Sequence, residues 1–163
     1  MKPIESPAIY VGVNPLLLDN QLCFSLYAAS RAMTAAYAPL LEPLGLTYPQ
    51  YLALLVLWEG DGISVKQLGE RLQLDSGTLT PVLGKLEARG LVTRVRDDVD
   101  ARVVRVSLTA SGRALKRQAK KIPEQLVCQF GINLPAIARL RDELNGLTQR
   151  LRAANVDESG ETP

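Results

Sequence analysis

Apolar positions recur at helical spacing along much of the chain. Leu22, Leu26, Ala29, Met33, Ala36 and Leu40 follow at alternating steps of four and three, laying one stripe along about five turns. This spacing predicts a first helix from Asp19 to about Ala38, where Pro39 limits it. In Thr47-Tyr48-Pro49-Gln50, Thr is a candidate N-cap, Gln follows three residues later and Pro sits in the first turn, so a second helix starts there and runs to about Trp58. Its segment Tyr51-Leu52-Ala53-Leu54-Leu55-Val56-Leu57-Trp58 is apolar on every side, which predicts the centre of the core. Ser64-Val65-Lys66-Gln67 repeats the capping-box pattern and opens a short helix over 65–72. Asp75 can cap a further helix that ends at Arg89-Gly90, with a local distortion expected at Pro81, which removes a helical N–H.

The period then changes. Residues 91–96 and 103–108 alternate apolar and polar for most of their length and flank the charged segment 97–102, which reads as a β-hairpin with a charged tip. Thr109 can cap a basic helix carrying Arg113, Lys116, Arg117, Lys120 and Lys121, interrupted at Pro123. Ile137, Leu140, Leu144, Leu147 and Leu151 recur at three and four, a coiled-coil-like seam. Residues 1–18, with their prolines and the Leu16-Leu17-Leu18 cluster, read as an arm, and the tail after Asn155 as disordered.

Together these elements give a mainly α chain with a small β-hairpin wing. At 163 residues, 47% hydrophobic and 5% aromatic, one domain over 1–163 is expected. Within it, 64–108 forms a winged helix-turn-helix, while 19–58 and 109–154 supply helices for dimerisation and sensing. No stretch reaches the roughly 20 apolar residues of a membrane span, and Met1-Lys2-Pro3-Ile4-Glu5 lacks the pattern of a signal peptide, so a cytoplasmic protein with no membrane partner is expected.

Charge adds a direction. Residues 64–121 hold 13 Lys and Arg against 6 Asp and Glu, a net of +7, whereas the rest of the chain nets −5. A cationic section that coincides with a helix-turn-helix and a hairpin points to double-stranded DNA, with the second helix in the major groove and the wing in an adjacent minor groove. Ser76, Gly77, Thr78 and Thr80 are small enough to approach base edges and phosphates. Lys85, Arg94 and Arg96 can neutralise phosphates, and Arg102 sits at the tip like a minor-groove arginine.

The chain has no histidine, which excludes hydrolase triads, His metal sites and imidazole bases, so no cofactor, no metal and no enzyme are expected. Two cysteines remain, Cys23 and Cys128, free thiols in a reducing compartment. By its residues alone Cys23 reads as a small buried apolar side chain before it reads as a reactive thiol, because no Lys or Arg lies beside it to lower its pKa.

Thr47-Tyr48-Pro49-Gln50-Tyr51-Leu52, Leu74-Asp75-Ser76-Gly77-Thr78-Leu79-Thr80-Pro81, Gly90-Leu91-Val92-Thr93-Arg94 and Leu108-Thr109-Ala110-Ser111-Gly112 resemble the MarR family of dimeric winged-helix regulators. Leu22-Cys23-Phe24-Ser25-Leu26-Tyr27-Ala28 resembles its organic-hydroperoxide sensor branch, the OhrR type. The similarity spans about residues 19–150 and adds Pro81 and Asp100 to the expected DNA-binding set. One departure is Ala101 between Asp100 and Arg102, where an acidic residue is common.

The resemblance implies a homodimeric repressor of a peroxidase gene, bound to a palindromic operator and released when an organic hydroperoxide oxidises Cys23. Tyr37 and Tyr48 match the tyrosines that contact the thiol, Tyr27 is a third neighbour, and Cys128 matches a resolving cysteine from the other subunit. Tyr37 lies 14 residues after Cys23, about 21 Å along one helix, so contact between them must cross a subunit boundary. Two alternatives stand beside this expectation: a MarR-type regulator answering to a small lipophilic or phenolic ligand, and a thiol peroxidase.

Overall fold

The computed structural model describes residues 14–131 and 133–159; residues 1–13 of the expected arm and 160–163 of the expected tail lie outside them. A one-turn 3-10 helix, Leu18–Asn20, leads into α1 (Leu22–Leu41). Pro39 does not end α1, which continues for two residues past it into a second 3-10 turn, Glu42–Leu44. Proline forgoes one hydrogen bond to the preceding turn, and α1 closes within three residues of it. α2 (Tyr48–Glu59) starts where the Thr47–Gln50 pattern places it, with Gln50 Oε1 accepting the Thr47 N–H at 2.9 Å.

A two-residue strand, β1 (Ile63–Ser64), precedes α3 (Val65–Leu72) and has too few residues to register as an alternation. Ser64 caps α3 reciprocally: its Oγ accepts the Gln67 N–H at 3.1 Å and Gln67 Oε1 accepts the Ser64 N–H at 2.9 Å. α4 (Ser76–Ala88) runs unbroken through Pro81, contrary to the expected distortion. Leu79, Leu83 and Leu86, buried on either side of Pro81, hold the helix to the core across the one hydrogen bond that the proline forgoes.

β2 (Val92–Arg96) and β3 (Val104–Leu108) form the hairpin, paired Val92 with Leu108, Arg94 with Val106 and Arg96 with Val104. β1 joins the other edge of β3, giving the antiparallel order β1-β3-β2. Thr109 then caps α5 (Ala110–Ala119), its Oγ1 accepting the Gly112 N–H at 3.0 Å. A Cβ on Gly112 would stand 2.0 Å from the Leu91 carbonyl oxygen, so only glycine lets α5 lie this close to the base of the hairpin. Trp58 Nε1 donates to the Gly112 carbonyl at 2.9 Å, tying the end of α2 to the same point.

The core is built where the apolar pattern predicts. Tyr51, Ala53, Leu54 and Leu57 of α2 are buried with Leu68 of α3, Leu79, Leu83 and Leu86 of α4, and Val92 and Val106 of the sheet. Burying a leucine is worth about 2 kcal/mol, so Leu79, Leu83 and Leu86 together fix which face of α4 turns outward.

The chain divides into two units between Ala119 and Lys120. The second holds α6 (Ile122–Phe130), with Pro123 in its first turn and Gly131 at φ +60 closing it, and α7 (Leu134–Ser159). Pro123 thus separates two helices, as expected, and α7 continues beyond Asn155 to Ser159. No single helix among the described residues is long and apolar enough to cross a membrane.

Candidate nucleic-acid interface and thiol site

The outward face of α4 carries Ser76, Gly77, Thr78, Thr80, Pro81 and Lys85, all exposed. Asp75 caps the helix, Oδ1 accepting the Thr78 N–H and Oδ2 the Thr78 hydroxyl, each at 2.9 Å. Those hydrogen bonds, the one from the Thr78 N–H foremost, hold the Asp75 carboxyl below its ordinary range. Thr80 Oγ1 donates to the Ser76 carbonyl at 2.7 Å. Both threonine hydroxyls therefore give their protons to their own helix and offer lone pairs outward, a face of acceptors suited to exocyclic amino groups of bases.

The wing is organised by aspartates. Asp97 accepts Arg105 Nε and the backbone N–H groups of Val99 and Asp100, and Arg105 above all lowers its pKa. Asp100 holds Arg102 by a fork of two bonds at 3.0 Å, from Nε and Nη2, while also accepting the Arg102 N–H. The Arg102 side chain is nevertheless 90% exposed, and Ala101 does not displace it from the Asp100 carboxylate. Arg96 is exposed. Between α4, the start of α3 and the wing lies an open cleft of about 410 Å3 lined by Lys66, Thr80, Arg94 and Arg102 among others. Lys66, exposed at the first turn of α3, was not among the expected contacts, since only the fold brings it beside α4 and the wing.

Arg94 is placed differently from the other cations. Its Nε and Nη2 both bond Glu87 Oε2, so its charge ties β2 to α4. Tertiary pairing of this kind leaves no signal in local spacing.

The expected thiol site is split. Cys23 is exposed at the second residue of α1, its Sγ 3.8 Å from Gln21 Oε1. Tyr37 and Tyr48 come together with ring centroids 4.7 Å apart, and buried Tyr51 joins them at 5.8 Å from Tyr37. Burial, reinforced by its two tyrosine neighbours, pushes the Tyr37 phenol up to about 12, and burial also raises Tyr48 and Tyr51. All three stay protonated at neutral pH as hydrogen-bond donors. One unbroken helix carries Cys23 and Tyr37, so they stand about 21 Å apart within a chain.

Tyr27 lies one turn beyond Cys23 on the same face and pairs with Arg31, whose Nη1 donates to its hydroxyl at 3.1 Å with Cζ 5.5 Å from the ring centroid. Arg31 continues the Cys23–Tyr27 row by one more turn, a spacing visible in the sequence. Cys128 is exposed on α6. Among the described residues no His, Cys, Asp or Glu group could hold a metal ion.

A family model described as MarR family matches residues 46–104. The organic hydroperoxide resistance transcriptional regulator of Bacillus subtilis strain 168 is 49% identical over 138 residues, covering 85% of this chain and 94% of that protein. AbfR of Staphylococcus epidermidis in its reduced, DNA-bound form superposes with a TM-score of 0.74 at 35% identity, covering 82% of this chain and 94% of that one. Its disulfide form superposes at 0.58 with 34% identity, covering 84% and 91%.

Proposed function

The chain belongs to the MarR family of transcriptional regulators, and from that premise we propose that it is a cytoplasmic homodimeric repressor that releases a palindromic operator when an organic hydroperoxide oxidises Cys23. The observation that carries this reading is the exposed Cys23 thiol at the head of α1, in a chain half identical to a regulator named for organic hydroperoxide resistance. Transcriptional regulation in its relatives argues against a peroxidase.

Dimerisation is supported by what the helices leave uncovered. Of the 20 residues of α1 only Leu41 is buried, while Leu22, Phe24, Tyr27 and Met33 are exposed, as are Leu134, Leu140, Leu144 and Leu151 of α7. Apolar faces of this extent call for a second copy. A twofold pairing that runs two α1 helices antiparallel carries Cys23 of one chain to the Tyr37–Tyr48 pair of its partner.

The chemistry balances as follows. The Cys23 thiolate attacks one peroxide oxygen, the O–O bond breaks, an alkoxide leaves and takes a proton as alcohol, and sulfur becomes sulfenic acid. The phenols of Tyr37 and Tyr48, kept protonated by burial, donate hydrogen bonds to the thiolate. The thiol of Cys128 from the other subunit then displaces hydroxide, which leaves as water, and a disulfide forms.

A second trigger is favoured by one feature, an open groove of about 780 Å3 beside Tyr48, walled by Thr34, Ala38, Leu41 and Leu46 among others, which has room for a small lipophilic or phenolic ligand. A gel shift on the DNA upstream of the protein's own gene decides between them. The wild type binds, is released by cumene hydroperoxide and rebinds after dithiothreitol, whereas Cys23→Ser binds and is not released. Full release of Cys23→Ser overturns the redox reading.

A further inference from the structure

The turn that precedes Tyr48 is fastened to the end of α4 by the side chain of Arg89, which the sequence marks as a helix end and as one of the 13 cations of the basic window. Arg89 Nη2 donates to the Leu44 carbonyl at 2.8 Å, and Nη1 donates to the Gly45 carbonyl. These acceptors stand four and three residues before Tyr48, just past the C-terminal end of α1. Carbonyls at such an end lack helical partners and carry the negative pole of the helix, so a cationic fork is their natural donor.

Gly45 makes room for it. The residue has φ +61, and a Cβ there would lie 2.9 Å from Arg89 Nη2 and 3.4 Å from Cζ. The other end of the link is stiff. Gly90 takes φ +65, its N–H bonds the Glu87 carbonyl at 2.8 Å, and the Leu91 N–H bonds the Leu86 carbonyl at 3.0 Å, so the last turn of α4 is closed before the chain enters β2. A displacement of the turn therefore reaches α4 as a whole helix, with the exposed face of Ser76, Thr78 and Lys85 on it.

We propose that Arg89 is a positioning residue that couples the Tyr48 side of the thiol site to the DNA-contacting helix: its fork holds the turn against α4, so that movement of Tyr48 on thiol oxidation changes the set of α4 on DNA. This rests on the reading of Tyr48 as a thiol contact. It assigns Arg89 to transmission and not to phosphate contact, because its fork is committed to two carbonyls.

The test compares wild type, Arg89→Gln and Arg89→Lys as full-length proteins on a fluorescein-labelled duplex from upstream of the protein's own gene. Kd is measured before and after stoichiometric cumene hydroperoxide, with oxidation of Cys23 followed by mass spectrometry. In both variants Cys23 oxidises as in the wild type, but the ratio of oxidised to reduced Kd falls at least tenfold, since lysine keeps the charge and loses the fork. A merely structural role would lower the melting temperature and shift both Kd values together. An unchanged ratio in both variants overturns the proposal, as does an unchanged ratio with a salt slope reduced by about one ion, which would make Arg89 a phosphate contact.

Should Arg89→Gln fail to fold, Arg89→Lys and hydrogen exchange of the wild type carry the test. Oxidation accelerates exchange of the Gly45, Leu46, Gly90 and Leu91 amides together; release of DNA with exchange at Gly90 and Leu91 unchanged overturns it. A wild type that keeps its DNA after Cys23 is oxidised instead overturns the sensor reading, and the Arg89 coupling with it.

Discussion

Glu87 receives Arg94 three times, its carboxylate accepting the Arg94 backbone N–H at 3.1 Å, Nε at 2.9 Å and Nη2 at 2.6 Å. The pair joins the recognition-like helix α4 to the first strand of the wing and sets the angle between them. Glu87→Gln separates two roles for Arg94. If the arginine serves DNA chiefly by its charge, removing its carboxylate partner strengthens binding. If it serves as a brace, the wing loosens and binding weakens. The geometry favours the brace, so Glu87→Gln is expected to raise Kd several-fold by fluorescence anisotropy, with the salt slope unchanged.

The wing tip gives two tests of opposite sign to each other. Arg102 is held by Asp100 yet 90% exposed, and Nη1 takes no part in that fork, which leaves it free for the proposed minor-groove contact. Arg102→Ala is expected to weaken binding and reduce the salt slope by about one ion, as loss of a cationic contact does. Asp98, exposed in the same tip segment, adds only negative charge to the proposed DNA-contacting wing. Asp98→Asn is expected to strengthen binding, most clearly at low salt. Unchanged affinity in both variants, with circular dichroism intact, removes the wing from the interface.

Trp58 is the sole tryptophan, and its indole N–H fastens α2 to α5 through the Gly112 carbonyl. Trp58→Phe keeps an aromatic ring and deletes the donor. Losing that bond is expected to cost about 1 kcal/mol in urea unfolding, since the carbonyl keeps its place within α5. A loss below a few tenths would mean that water replaces the indole.

These ties mark where the sequence stops being informative. The Ser64–Gln67 box fixed the start of α3, and the alternation fixed the hairpin to within one residue, because caps and strand periods are local. Pro39 misled because a proline forgoes one hydrogen bond to the preceding turn without dictating the residue at which the helix ends. The tyrosines proposed for the thiol site are singled out only by the resemblance. Glu87–Arg94 and Arg89–Gly45 join residues 7 and 44 positions apart, and neither partner is chosen by a local rule. A sequence displays charges, but the fold decides which are committed.

Stability is expected to fall at both ends of the pH scale. Asp75, Glu87, Asp97 and Asp100 are held below the usual carboxylate range by hydrogen bonds from Thr78, Arg94, Arg105 and Arg102 respectively. Their folded values lie below the unfolded ones, so their contribution is complete above about pH 4 and is lost as pH falls through the folded values. Tyr37 behaves in the opposite sense. Its phenol titrates near 12 when folded against about 10 when unfolded, so stability drops as pH rises above about 10. Thermal melts from pH 3 to 11 follow both limbs, and Glu87→Gln should flatten the acid limb while Tyr37→Phe flattens the alkaline one.

In the proposed mechanism Cys128 decides how the oxidised state is kept. A sulfenic acid at Cys23 that meets no thiol proceeds with further peroxide to sulfinic and sulfonic acid, which dithiothreitol does not reverse. A disulfide requires Cα atoms within roughly 7 Å, so a resolving thiol must sit on an element that can reach that distance. Cys128 is exposed on a nine-residue helix with Pro123 in its first turn and Gly131 in the left-handed conformation at its end, and so short a helix has few internal hydrogen bonds to give up. Stoichiometric cumene hydroperoxide is therefore expected to convert the wild type to a covalent dimer on a non-reducing gel, with dithiothreitol restoring both the single-chain band and DNA binding. Cys128→Ser runs as a single chain on the same gel, still loses DNA, and accumulates irreversibly oxidised Cys23 by mass spectrometry. If instead the oxidised wild type releases DNA while running as a single chain, the partner of Cys23 is a small external thiol and Cys128 is a packing residue.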